Sequence, residues 1–233
     1  MSIDSPVFWL ALGQIIWINI ILSGDNAVVI ALAARSLPPK QQKMAIMWGS
    51  GAAVVLRIVL TFLAAYLLQL PYLQIIGGVL LLWIGFQLLS GEEEEGEGDA
   101  KDVTGNLMAA VRTILIADLV MSLDNVIAVA LAAKGDFTLL VLGLAISIPL
   151  VVFGSTLMIK LMERFPVIIT LGAALIGWVA GDAISHDVAV KHVFEGNTLL
   201  TYGLKAGCAI FVVVVGKWLA ARSASKHHTT KSA

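Results

Sequence analysis

Long apolar runs alternate with short polar breaks along the whole chain, and most runs have the length of a helix that crosses a bilayer. The first extends from about Val7 to Leu37. It exceeds the roughly 20 residues a crossing requires, and is expected to tilt or to break near Ser23-Gly24, where helix propensity is poor. Pro38-Pro39 ends it. Further runs follow at about Met44–Leu68, Leu73–Leu89, Leu107–Ala133, Leu139–Met162, Val167–Ile184 and Leu199–Ala221. Pro149 lies inside the fifth and is expected to kink it by freeing a carbonyl. The stretch from His186 to Asn197 is mixed and reads as interfacial, and Arg222 to Ala233 as a mobile basic tail. Between the third and fourth runs stands GEEEEGEGDAKD, residues 91–102. Its charges repel one another and it has nothing to bury, so it reads as a disordered loop. The pattern therefore predicts an all-α membrane protein with seven transmembrane helices in one membrane domain.

The runs repeat. WINIILSGDNAVVIALAAR begins at Trp17 and IADLVMSLDNVIAVALAAK at Ile116. At an offset of 99 residues, Ser23, Asp25, Asn26 and Leu32 fall on Ser122, Asp124, Asn125 and Leu131, while Asn19 falls on Asp118. At an offset of 95, Pro71, Gly77 and Trp83 fall on Pro166, Gly172 and Trp178. The four-residue difference fits the loop after the first run, which is shorter in the second copy. Each copy, about 7–89 and about 107–185, holds three spans, and an odd number of spans turns the second copy upside down. The expected architecture is two inverted three-helix repeats plus a seventh helix, a construction in which secondary transporters bind substrate near the midplane.

Composition narrows the class. Of 233 residues 59% are hydrophobic and 13% charged, with a mean hydropathy of +0.93, whereas a soluble domain carries about 25% charged residues. The net charge of −1 argues against nucleic acid as a partner. A single cysteine, Cys208, rules out a disulfide framework within the chain and reads as packing. MSIDSPVFW lacks the basic start of a cleaved leader, so the first run is expected to be retained. Lysine and arginine set the orientation. With the N-terminus outside, Arg35, Lys40, Lys43, Lys101, Lys160, Arg164, Lys217, Arg222, Lys226 and Lys231 fall on the cytoplasmic side. Lys134, Lys191 and Lys205 stay outside.

The chemistry lies in the intramembrane charges. A carboxylate at the centre of a span costs about 3 kcal/mol on insertion scales, and this chain places Asp25, Asp118 and Asp124 there, with Arg57 in the second span. Carboxylate and carboxamide oxygens suit hard or borderline cations such as Mg²⁺, Ca²⁺ and Mn²⁺. Three aspartates and one arginine leave a net −2 when ionised, which matches one divalent ion. A structural network around Arg57 is the plainer alternative. Asn26 and Asn125 would add neutral ligands or orient the neighbouring acids. Consecutive residues point about 100° apart on a helix, so an Asp-Asn pair cannot both face one narrow seam. Asp118 and Asp124, six positions apart, share one ion only if the span is distorted, and two neighbouring sites stay open. Ser23 and Ser122 either line the site or bond back to helical carbonyls. Asn19 makes the copies electrically unequal. Asp182 and His186 share a helix face and with Asp187 would form a metal station at the outer mouth, or simply a solvated helix end. Glu92–Glu95 and His227-His228 read better as solvated polar residues than as metal ligands.

The LSGDN and SLDN motifs, the arginine in VLRIVL (Val55–Leu60), the three-plus-three repeat and the seventh span resemble the TerC integral membrane proteins of the lysine-exporter superfamily. The SGDN form with an acidic central loop is similar to the branch containing bacterial manganese exporters. The resemblance covers about Val7 to Ala221. It implies efflux of divalent metal, chiefly Mn²⁺, across the bacterial cytoplasmic membrane, with Asp25, Asn26, Asp118, Asp124 and Asn125 as ligands and Arg57 as charged partner. Calcium and magnesium are the alternative ions. Some members of the family are linked to metal loading of secreted proteins. The chain departs from other branches at Asn19, where an acid is common. Other classes remain open: an amino-acid exporter, a metal-binding partner of the secretion machinery, and an intramembrane aspartyl protease. The last needs Tyr-Asp and Gly-x-Gly-Asp motifs that are missing here, so an enzyme is not expected.

Overall fold

The computed structural model describes residues 5–22, 24–90, 102–133 and 136–230. Among these residues every regular element is a helix: α1 (Pro6–Leu22), α2 (Gly24–Ala34), α3 (Pro39–Leu67), α4 (Leu73–Ser90), α5 (Asp102–Ala133), α6 (Phe137–Arg164), α7 (Val167–His186), the single turn α8 (Lys191–Phe194) and α9 (Thr198–Thr230). Six helices are long and apolar enough to cross a membrane, and α1 with α2 make a seventh span if counted together. They meet at a 47° bend. Ser23, between them, lies outside the described residues; in the first turn of α2 the Asp25 carboxylate accepts the Asn26 N–H at 2.8 Å. Pro149, by contrast, sits inside α6 without ending it. The acidic stretch 91–101 lies outside the described residues. The helix α9 continues to Thr230, through most of the segment expected to be a mobile tail.

The chain divides into two compact units that cut across the sequence repeat. One gathers α1, α2, α3, α5 and α6, which include the first two spans of each copy. Here α1 and α2 run alongside α6 in the same direction: Ile15 lies against Gly143, and Ala27 is 3.4 Å from where a side chain on Gly154 would begin. Helices α3 and α5 also run in parallel, with Ile114 2.9 Å from the position of a Gly49 Cβ and Arg57 joined to Asp118. An apolar cluster of Phe8, Leu12, Ile15, Val54, Val129, Leu139, Leu140 and Leu144 closes one end of this unit. Small residues at these crossings let backbones approach, which matters in lipid, where no hydrophobic force drives helices together.

The other unit holds α4, α7, α8 and α9. Helices α4 and α7 are antiparallel, since Gly78 meets Ala180 and Ile184 while Gly85 meets Ile176. On α7, Gly177 and Gly181 form a G-x-x-x-G stripe against the α9 backbone, where added Cβ atoms would stand 2.6 Å from the Cys208 carbonyl oxygen and 2.7 Å from Lys205 Cα. Cys208 is buried in this seam, as its packing role requires. Large apolar side chains such as Leu199, Ile210 and Val214 of α9, and Trp9, Trp17, Trp48, Trp83 and Trp218, are exposed. In a bilayer they face lipid or its interface.

Asp187, just past α7, is 1% exposed. Its carboxylate accepts the backbone N–H groups of Tyr72 (2.9 Å), Gln74 (3.0 Å), Ile75 (3.2 Å) and Ala189 (2.8 Å). It thereby caps α4 from the end of α7. Burial pushes its pKa up, but the four N–H donors outweigh this and hold it below the usual carboxylate range. Tyr72, at the same turn, has a φ of 68°, strained for a residue with a side chain.

Candidate functional site

The charged centre of the first unit joins α3 to α5. Arg57 is 7% and Asp118 5% exposed. Arg57 Nη2 donates to Asp118 Oδ1 at 2.5 Å and Nε to Oδ2 at 3.3 Å, the two-pronged arrangement that planar guanidinium favours. Ser122, one turn along α5, donates its hydroxyl to Asp118 Oδ2 at 3.2 Å. Both carboxylate oxygens are thus engaged. The buried pair is neutral as a whole, which offsets much of the cost of removing two charges from water.

The remaining polar groups sit on neighbouring helices. Asp25, at the first turn of α2, is half-buried and lies within electrostatic range of both Arg57 and Asp118. Asn26 is 3% exposed. Asn19 of α1 is 1% exposed. Its Nδ2 donates to the Gly143 carbonyl of α6 at 3.5 Å, while its Oδ1 is buried without a hydrogen-bond partner. Asn125 turns its Nδ2 back to the Met121 carbonyl at 2.8 Å, which leaves its oxygen and one N–H for other use. Ser23 and the side chain of Asp124 lie outside the described residues. Sequence reasoning passed over Ser50, which is 2% exposed with an unpartnered hydroxyl two turns before Arg57 on α3. The signal was available, because positions seven apart share a helix face.

Of the sequence-predicted outer station, Asp182 and His186 stand together, with His186 Nδ1 3.6 Å from Asp182 Oδ1. Asp182 is ion-paired to Lys205, whose ammonium also sits 5.3 Å and 5.9 Å from the ring centres of Tyr202 and Trp178. His186 Nδ1 lies 2.9 Å from the Asp182 carbonyl oxygen, and Asp187 is committed to the α4 cap. Among the described residues no three of His, Cys, Asp or Glu come together as a metal-holding group. Asp187 serves there as a structural cap.

The fold and site define a class: a polytopic helical membrane protein with a buried, ion-paired carboxylate among oxygen donors. The profile described as "Integral membrane protein TerC family" matches residues 4–224, and the chain belongs to that family. It is 47% identical over 180 residues to the uncharacterized membrane protein YjbE of Bacillus subtilis, covering 77% of this chain and 81% of that one. YceF of the same organism, also an uncharacterized membrane protein, is 26% identical over 76% of this chain and 72% of its own. The Escherichia coli inner membrane protein YgdQ is 25% identical over 70% and 75%. No solved structure matches the chain.

Proposed function

We propose that the protein exports a divalent metal cation, Mn²⁺ first among them, across the bacterial cytoplasmic membrane by alternating access between two inverted halves. The observation that carries this reading is the buried Arg57–Asp118 pair with Asp25 in electrostatic reach. The matched Asp-Asn motifs lie in apolar runs of the sequence, where lipid would penalise an acid, and buried serine and asparagine side chains rather than cysteine accompany Asp118 in the first unit. In the sequence Asp25, Asp118 and Asp124 stand against Arg57, three acids to one base, which when ionised match the charge of one divalent ion. Manganese and outward transport follow from the family resemblance. The N-terminus outside and the C-terminus in the cytoplasm follow from the basic residues.

Two sets of contacts support the inverted repeat. Ile15 lies against Gly143 and Ile114 against Gly49. Ile114 is 99 residues after Ile15, and Gly143 is 94 after Gly49. Matched isoleucines thus each meet a glycine in the second span of the other copy, within one residue of the 95-residue offset, a near-reciprocity of the kind an approximate twofold axis generates. Matched helices α4 and α7 also pack antiparallel.

Commitment of Arg57 to Asp118 weighs against the amino-acid exporter, which would need that cation for a substrate carboxylate, and against a protease dyad sharing a proton. The test is ion flux in proteoliposomes over Mn²⁺, Mg²⁺ and Ca²⁺. Asp124→Asn is expected to abolish flux and cellular metal tolerance while the protein stays in the membrane. Normal flux in that variant refutes the reading. Wild-type protein that binds metal without transporting it supports a role as a partner of the secretion machinery instead.

A further inference from the structure

A carboxylate offers about four acceptor positions, and three of those on Asp118 are filled, by Arg57 at 2.5 and 3.3 Å and by Ser122 at 3.2 Å. The guanidinium is a tethered single positive charge resting on the acid. The first copy has no counterpart to this arrangement. Its matched residue, Asn19, is neutral, 1% exposed and left with an unpartnered Oδ1. The positions 94 and 95 residues after Arg57 are Val151 and Val152. The extra acid and the extra base therefore occur together, on opposite copies, as one asymmetric device. Structural pairing alone would be served as well by two neutral groups, because buried ion pairs add little net stability over apolar packing.

We infer that Arg57 sets the charge selectivity of the site: it occupies Asp118 as a built-in monovalent competitor that only a doubly charged ion displaces. This rests on the proposed cation site. A sodium or potassium ion arriving at Asp118 must replace a group of the same charge and break two charge-assisted hydrogen bonds. It gains no additional Coulomb attraction, and it competes with a ligand already attached to the protein. A divalent ion at the same distance feels twice the attraction of Asp118, and twice that of nearby Asp25. The asymmetry between the copies thus excludes the abundant monovalent ions without closing the site to divalent ones.

The test measures Mn²⁺ binding to purified full-length protein in lipid nanodiscs at constant ionic strength, with N-methylglucamine exchanged for Na⁺ up to about 0.15 M. Wild type and Arg57→Lys are expected to change affinity less than about twofold on the exchange, and Arg57→Gln and Arg57→Met to weaken about tenfold as Na⁺ takes Asp118. Adding Asp118→Asn to Arg57→Gln is expected to remove the sodium effect. The two neutral replacements differ in polarity, so one folded variant suffices. Damage to the fold alone would weaken Mn²⁺ binding equally in both salts. Neutral variants that bind Mn²⁺ but ignore Na⁺, or a wild type equally sensitive to it, overturn the inference and leave the exporter reading standing. Wild-type protein that binds none of Mn²⁺, Mg²⁺ and Ca²⁺ overturns both.

Discussion

Replacing Asp187 by alanine removes the acceptor for four backbone N–H groups at once. Loss of a helix cap costs about 1–2 kcal/mol. Gln74, 5% exposed, is the donor residue with least access to water, and a buried N–H left unsatisfied adds about 1–3 kcal/mol. Tyr72 is exposed, so its N–H can recover water. The expected total is about 3 kcal/mol, a fall in melting temperature of about 6–12 °C for a chain of this size. Asp187→Asn keeps one of the two oxygens as acceptor and should lose about half as much. The assay is thermal unfolding of the detergent-solubilised protein followed by circular dichroism. The pH dependence has a definite sign. The folded pKa of Asp187 lies below its unfolded value, so its contribution is complete above about pH 4 and fades as pH falls through the folded value. The advantage of wild type over Asp187→Asn should therefore shrink in acid and be constant from about pH 5 to 7. Added Mn²⁺ should not raise the melting temperature through this segment. An Asp187→Ala variant that melts within a degree or two of wild type refutes the capping role. A stabilisation by Mn²⁺ that Asp187→Asn alone abolishes would speak for a metal station here.

Two other substitutions test the packing and the ion pair. Gly181→Val sets a side chain against the backbone of Lys205, and overpacking of this kind costs about 1–3 kcal/mol; Gly203→Ala, with open space around it, should leave the melting temperature nearly unchanged, and equal behaviour of the two would refute the α7–α9 seam. Asp118→Ala leaves Arg57 buried and unpaired, a change that costs about 3–5 kcal/mol, whereas Arg57→Met with Asp118→Leu should recover most of the stability while losing ion binding; a double variant no more stable than Asp118→Ala refutes the account of the pair.

The helices were legible in the chain because lipid imposes a simple rule on sequence: a crossing segment must be apolar and about 20 residues long. The 47° bend between Pro6–Asn19 and Gly24–Ala34 was legible for a local reason, the poor helix propensity of glycine. The identity of Arg57's partner was not, because three aspartates could serve and periodicity carries no information about which span stands beside which. The partners of Asp187 were hidden for the same reason. Its neighbours in sequence, Asp182 and His186, suggested a shared helix face, while its partners at Tyr72, Gln74 and Ile75 lie more than a hundred residues away. Gly177 and Gly181 carried a readable G-x-x-x-G signal, but the helix they face could be identified only from the packing. The continuation of α9 beyond Ala221 escaped notice because basic, polar composition marks the end of a membrane run without marking the end of a helix.

The first span's bend has a consequence for water. At 1.5 Å per residue the 11 residues of α2 reach about 16 Å, little more than half of a hydrocarbon layer about 30 Å deep. One blunt end of this half-length rod therefore stops inside the oily slab, at exposed Gly24. Amides there cannot be left to hydrocarbon. The free N–H groups of the first turn of α2 therefore need partners from neighbouring helices or from water, which keeps polar company beside Asp25.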